Sequence, residues 1–157
     1  MSLKKILTAA VLLLTLISVQ KAKAQTELKG LPKGAMTAAS SGFSMTAKIN
    51  GKPVKAHATM PAEEAGQIVG FYDGDRYIGL PYDKINMVAG KKIKFSDENA
   101  DLTTNDKVQV WNGRKGEMEI TKVSGHWVEG KFFFTGYSYD NTKTIAVTDG
   151  FFRIQLK

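Results

Sequence analysis

The chain has 157 residues, 22 Lys and Arg against 15 Asp and Glu, a formal net charge of +7 and no cysteine. The missing cysteine excludes disulfides, zinc-thiolate sites and thiol catalysis, and two histidines exclude a His-rich metal site within one chain. Four of the lysines, Lys4, Lys5, Lys21 and Lys23, fall in the first 24 residues, which contain no acid. Residues 25–157 therefore carry 18 bases against 15 acids, or +3, a weak excess that bears on solubility and gives no support to nucleic-acid binding.

In chain order, the first element is an address. Lys4 and Lys5 form a positive n-region, Ile6 to Val19 an apolar run, and Ala22-Lys23-Ala24 the small-x-small pattern read by signal peptidase. Residues 1–24 are expected to be a signal peptide, cleaved after Ala24. The 14-residue run falls short of the roughly 20 residues that cross a bilayer as a helix, and no second run follows. The expected mature chain has no transmembrane segment and is exported: periplasmic, associated with the cell envelope, or extracellular. Residues 25–42, "QTELKGLPKGAMTAASSG", have no sustained period and several Gly, Ser and Pro punctuators. They read as a flexible tether.

From Phe43 the pattern becomes one of strands. Phe43, Met45, Ala47 and Ile49 alternate with polar residues; Asn50-Gly51 then predicts a type I′ hairpin turn, and Val54, Ala56, Ala58 and Met60 resume the alternation. Pro53 belongs at a strand start or on an edge, since it cannot donate to a ladder. "MPAEEAG", Met60 to Gly66, is the only helix expected, a turn or two long, and "YDKINMVAG", Tyr82 to Gly90, fits either a short helix or a loop. Two strands flank Asp73-Gly74-Asp75. "KKIKF" is a third, and "KVQVW" a fourth, expected to end at Asn112-Gly113. "GEMEITKV" sets Met118 and Ile120 against Glu117, Glu119 and Thr121.

"GHWVEGKFFFTGYSYD", Gly125 to Asp140, then carries aromatic residues on both faces of one strand. Val128, Phe132 and Phe134 point one way; Trp127, Phe133 and Tyr137 point the other. The last strand, "KTIAVTDGFFRIQLK", is expected to bulge or bend at Asp149-Gly150. Roughly eight to ten strands in about 115 residues predict an all-β domain over 43–157. The form expected is an antiparallel β-sandwich, with a small closed barrel of calycin style as the alternative. In that barrel Phe132, Phe134, Ile145 and Phe152 would line a ligand cavity.

Three stretches carry a resemblance: Ala47, Ile49 to Lys52 and Val54; Gly130, Phe132 and Phe134; and Val147 to Gly150 with Phe152. In them the chain resembles small secreted all-β domains of unknown function common in Bacteroidetes-type bacteria. The likeness covers both ends of the domain, while Gly66 to Asp106 matches only in style. It implies an all-β fold and export, and brings no active site. The chain departs from the lipoprotein-like members of that group in having no lipobox cysteine.

Chemistry-bearing motifs are sparse. There is no G-x-S-x-G, H-E-x-x-H, Walker loop or G-x-G-x-x-G. His57 falls on the outward side of its strand and His126 in a turn, which suits surface histidines better than a triad. Glu117 and Glu119 share a strand face at about 7 Å, a spacing compatible with paired acid-base work but also usual for a solvated face. "FSDENADLTTND" offers a weak calcium candidate in Asp97, Asp101 and Asp106, without the ordered spacing of a calcium loop. No cofactor and no metal are expected.

The function expected is therefore a non-catalytic binding or structural domain, with a small apolar-ligand barrel as the alternative and a hydrolase third. Its partner would be an envelope protein or glycan, met by the aromatic face of Trp127, Phe133 and Tyr137. Part of that face is expected to be covered by the chain itself, Phe133 above all, with Tyr137 at a wet rim.

Overall fold

Asn50 (φ 47°) and Gly51 (φ 80°) both take positive φ, as the two central residues of a type I′ turn require, and they join β2 (Ser44–Ile49) to β3 (Lys52–Lys55). The turn is also tied across the sheet. The Asn50 N–H donates to the Ala146 carbonyl at 2.9 Å, and Asn50 Oδ1 accepts from the Ala146 N–H at 3.0 Å. In this computed structural model the described residues are 37–38, 42–96, 99–104 and 110–157, and they belong to one unit, Ala35–Lys157. The expected signal peptide and most of the expected tether lie outside them.

The remaining elements are β1 (Thr37–Ala38), β4 (Ala58–Met60), α1 (Ala62–Ala65), β5 (Gln67–Asp73) and β6 (Arg76–Pro81). A 3-10 turn follows at Lys84–Asn86, then β7 (Lys92–Phe95), β8 (Ala100–Thr103), β9 (Val110–Ser124), β10 (Trp127–Tyr137) and β11 (Thr144–Gln155). All eleven described strands form one antiparallel sheet in the order β1-β4-β5-β6-β8-β9-β10-β11-β2-β3, with β7 on β9 beside β8. The all-β expectation holds. The sheet is continuous and curled: β3 ends the order on one side and β4 lies near the other, yet only Ala56 and His57 separate them. The Ala56 N–H donates to Met45 of β2 and the His57 N–H to Phe71 of β5, both at 2.8 Å. This two-residue corner brings the ends of the sheet together, so its inner faces meet across one core.

That core is built by alternation. In β10, Val128, Phe132 and Phe134 are buried while Lys131 and Phe133 are exposed; in β11, Ile145, Val147, Phe152 and Ile154 are buried. The rings of Phe95 and Phe134 meet edge to face at 6.0 Å, and those of Phe132 and Phe152 lie 6.4 Å apart. Gly130 makes room for them: a Cβ there would stand 2.4 Å from Phe152 Cζ. Phe132, Phe134, Ile145 and Phe152 thus pack in the same hydrophobic cluster. Burying such a set supplies the main favourable term for a fold with no disulfide and little helix.

Four local expectations need correction. Thr37 and Ala38, assigned to the tether, pair with Thr59 and Ala58. Asn112-Gly113 does not end a strand, because β9, 15 residues long, runs on through it to Ser124 and pairs Asn112 with Tyr137 and Gly113 with Gly136. Gly113 serves packing instead of turning: a Cβ would lie 2.8 Å from that of Ala100. Ala100–Thr103, assigned to no strand within the weak calcium candidate, is β8, with Ala100 and Leu102 fully buried. Val54 lies on β3 and Ala58 and Met60 on β4, toward opposite ends of the sheet, with Ala56 in the corner between them. The Asp149 bulge is present as expected, with φ 52° and a register shift between Thr148 and Phe151.

Candidate functional site

Alternation along β10 sends Trp127, Phe133 and Tyr137 outward, and the structure treats the three differently. Trp127 is half-buried. The Arg153 guanidinium lies 4.5 Å from its ring centroid, held on the other side by Glu129 with Nε–Oε1 at 3.6 Å. The incoming chain crosses the indole at Gly42 (φ 101°), where a Cβ would come 2.7 Å from Cη2. Tyr137 is also half-buried, with the Arg114 and Lys115 cations 5.9 and 5.8 Å from its ring centroid. Part of the face is therefore covered by the chain, as expected.

Phe133 is the exception and corrects the expectation that it would be covered: it is 54 % exposed. The reason is distance. The incoming chain crosses at Trp127, six residues and about 20 Å along the strand, and no described segment overlies the middle of β10.

Around Phe133 the sheet surface has a distinct composition. Thr135 and Tyr137 continue the outward row of β10, while Thr144, Ala146 and exposed Thr148 form the outward row of β11, with Tyr137 opposite Thr144 and Thr135 opposite Ala146. These six residues carry no charge. Charges border the strip: Glu117 stands opposite Phe133 and Lys115 opposite Thr135 on β9, while Lys48 and Asp149 form an ion pair at 2.9 Å on the other side. The strip is about 13 Å long from Phe133 to Tyr137 and two strands wide.

The other sequence candidates do not join this face as a catalytic group. Glu117 and Glu119 share one strand face, and both lean on Lys92, at 3.4 and 4.0 Å. His57 is exposed on the corner between β3 and β4. His126 is exposed in the two-residue turn from β9 to β10, its carbonyl accepting from the Leu156 N–H at 2.7 Å. Asp101 is drawn into β8, where its Oδ2 accepts from Gln67 Nε2 at 3.0 Å, while Asp97 and Asp106 lie outside the described residues. Among the described residues no group of three His, Asp or Glu could hold a metal.

A second site at the end of the curled sheet had no signal in the sequence. An open pocket of about 430 Å³ has Met60, Ile68 and Ile154 among its apolar lining and Glu63, His126 and Lys157 among its polar lining. Glu63 is held by two segments: Oε1 accepts from the Lys157 N–H at 2.9 Å and from the Tyr82 hydroxyl at 3.4 Å. Burial opposes ionisation of Glu63, but these hydrogen bonds and the nearby Lys84 cation outweigh it and lower its pKa. Glu64 pairs with Lys157 Nζ at 2.8 Å. Each polar group comes from a stretch distant in sequence, so no local motif marks the pocket.

Compared with known proteins, the chain matches no family model, no curated protein and no solved structure.

Proposed function

We propose that this protein is an exported, non-catalytic binding domain whose recognition surface is the outer face of β10 and β11, and that its partner is a neutral glycan of the cell envelope. The observation that carries this reading is the uncharged strip that runs from Phe133 to Tyr137 and across to β11, with Phe133 a largely exposed ring at its end. An aromatic ring standing on a sheet surface can offer its face to the C–H side of a sugar. The Thr135, Thr144 and Thr148 hydroxyls both donate and accept, as sugar hydroxyls require. A charged partner surface would gain nothing from the strip itself, since burying unpaired charge against it is costly. Export rests on the leader pattern in residues 1–24.

The test is retention of protein beginning at Gln25 on neutral envelope polysaccharide, with Phe133→Ala as the variant. The expected loss is about 2 kcal/mol of binding, since the ring is an anchor felt only in the complex. Retention unchanged by Phe133→Ala would reject this face. Capture of a protein through Phe133, with no glycan retention, would keep the face and replace the partner.

A further inference from the structure

The segment from Asp83 to Lys91 presents apolar side chains to solvent on a backbone that is firmly held. Ile85 is 80 % exposed and Val88 is 58 % exposed, three residues apart, and Ala89 beside them is exposed as well. This is not a loose loop. Asp83 caps the 3-10 turn, its Oδ1 accepting from the Ile85 N–H at 3.2 Å and its Oδ2 from Asn86 Nδ2 at 3.0 Å. Met87 is buried in the core as a peg between the two exposed residues. The Lys91 N–H donates to the Val88 carbonyl at 3.0 Å, and Gly90 and Lys91 join the Ile120 backbone at 2.8 and 2.9 Å. Sequence and fold together thus hold two branched apolar side chains out in water, against the hydrophobic effect.

The charges around this tip are basic in excess. Lys84 and Lys91 flank the apolar pair and are exposed, and Lys122, next to half-exposed Val123, follows Ile120 on β9. Lys84 Nζ donates to the Lys157 carbonyl at 3.2 Å, an uncharged acceptor that leaves its charge in place. The acids nearby are fewer and held within the fold: both oxygens of Asp83 accept bonds within the turn, Glu63 accepts from Tyr82 and the Lys157 N–H, Glu64 pairs with Lys157, and Glu129, opposite Lys122, pairs with Arg153. The result is an apolar tip in a basic collar. A bilayer with anionic headgroups complements both parts, since the apolar residues can enter the interface while the lysines stay at the level of the phosphates.

We infer that the Asp83–Lys91 turn is a peripheral anchor for an anionic membrane surface, with Ile85 and Val88 inserted and Lys84, Lys91 and Lys122 meeting the lipid phosphates. The two branched side chains are too few to hold the protein permanently, so the contact is reversible and salt-sensitive. It is separate from the β10–β11 strip, and the two are tested apart.

The experiment is co-sedimentation of protein beginning at Gln25, which retains every described element, with vesicles of phosphatidylcholine mixed with phosphatidylglycerol, against vesicles of phosphatidylcholine alone. Sedimentation with the anionic vesicles, reduced by added salt, is expected. The double variant Ile85→Ser with Val88→Ser should lower it about tenfold or more. Lys91→Glu should lower it severalfold. Both changes are at exposed side chains, so the thermal midpoint should stay that of the parent, and Phe133→Ala should sediment as the parent does. Absence of binding to anionic vesicles overturns the inference, as does equal binding to both vesicle types. Full binding by the double serine variant overturns it too, by showing adsorption through charge alone.

Discussion

Phe133 and Phe134 are neighbours in sequence with opposite roles. Phe134 is buried against Phe95, whereas Phe133 faces water over more than half its surface. Phe134→Ala should therefore cost about 3–5 kcal/mol, from lost transfer energy and the cavity left behind. Phe133→Ala should cost under about 1 kcal/mol. Denaturant unfolding of the two variants checks this directly, and equal losses would mean that the register of β10 is wrong. The outward role of Phe133 was legible in the strict alternation of "WVEGKFFFTGY", but its exposure was not. Whether an outward ring is covered depends on which other segment crosses it, and local periodicity has no access to that.

At the level of elements, β8 is held by the β5–β6 hairpin through Thr103. The Tyr72 hydroxyl donates to the Thr103 carbonyl, and the Tyr77 N–H donates to Thr103 Oγ1 at 2.8 Å. Burial is the largest influence on both phenols and pushes each up to about 12. A tyrosine in the unfolded chain titrates near 10. Between about pH 10 and pH 12 the unfolded chain releases protons that the folded chain keeps, so stability should be fully present below pH 10 and fall as pH rises through that window. Thermal midpoints across it should show the decline, and Tyr72→Phe with Tyr77→Phe should flatten it. A parent midpoint that does not fall between pH 10 and 12 would contradict the burial of these groups. β8 itself escaped the sequence reading because "ADLT" is short and sits among loop-forming residues; what makes it a strand is pairing with β6 and β9 on its two sides. Asn112-Gly113 misled in the opposite sense, since a glycine chosen for close approach has the same letters as one chosen for a turn.

For the molecule as a whole, the Ala56–His57 corner is where the curled sheet closes on itself, and it provides the test of that closure. Ala56→Pro removes the N–H that bonds Met45 and adds a ring at a buried position; it should cost about 3 kcal/mol or more and broaden unfolding. Pro53, three residues earlier, is tolerated because β3 lies at the end of the strand order, where one side of its backbone has no ladder to serve. A parent-like unfolding curve for Ala56→Pro would show that the corner bears no closure.

What the sequence determined by itself is everything that depends on near neighbours. The Asn50-Gly51 turn follows from the positive φ that these two residues accept, the inward sets of β10 and β11 from the two-residue period of a strand, and the Asp149 bulge from a turn residue between flanks that both stay apolar. Tertiary structure alone decided which strands became neighbours. It decided that residues 52–60 would bridge the two ends of the sheet, that Trp127 and Tyr137 would be capped by cations while Phe133 stayed open, and that Glu63, Tyr82 and Lys157 would meet. Such pairings are set by the total apolar area the sheet can bury when it curls, a property of the whole chain that no single stretch of it encodes.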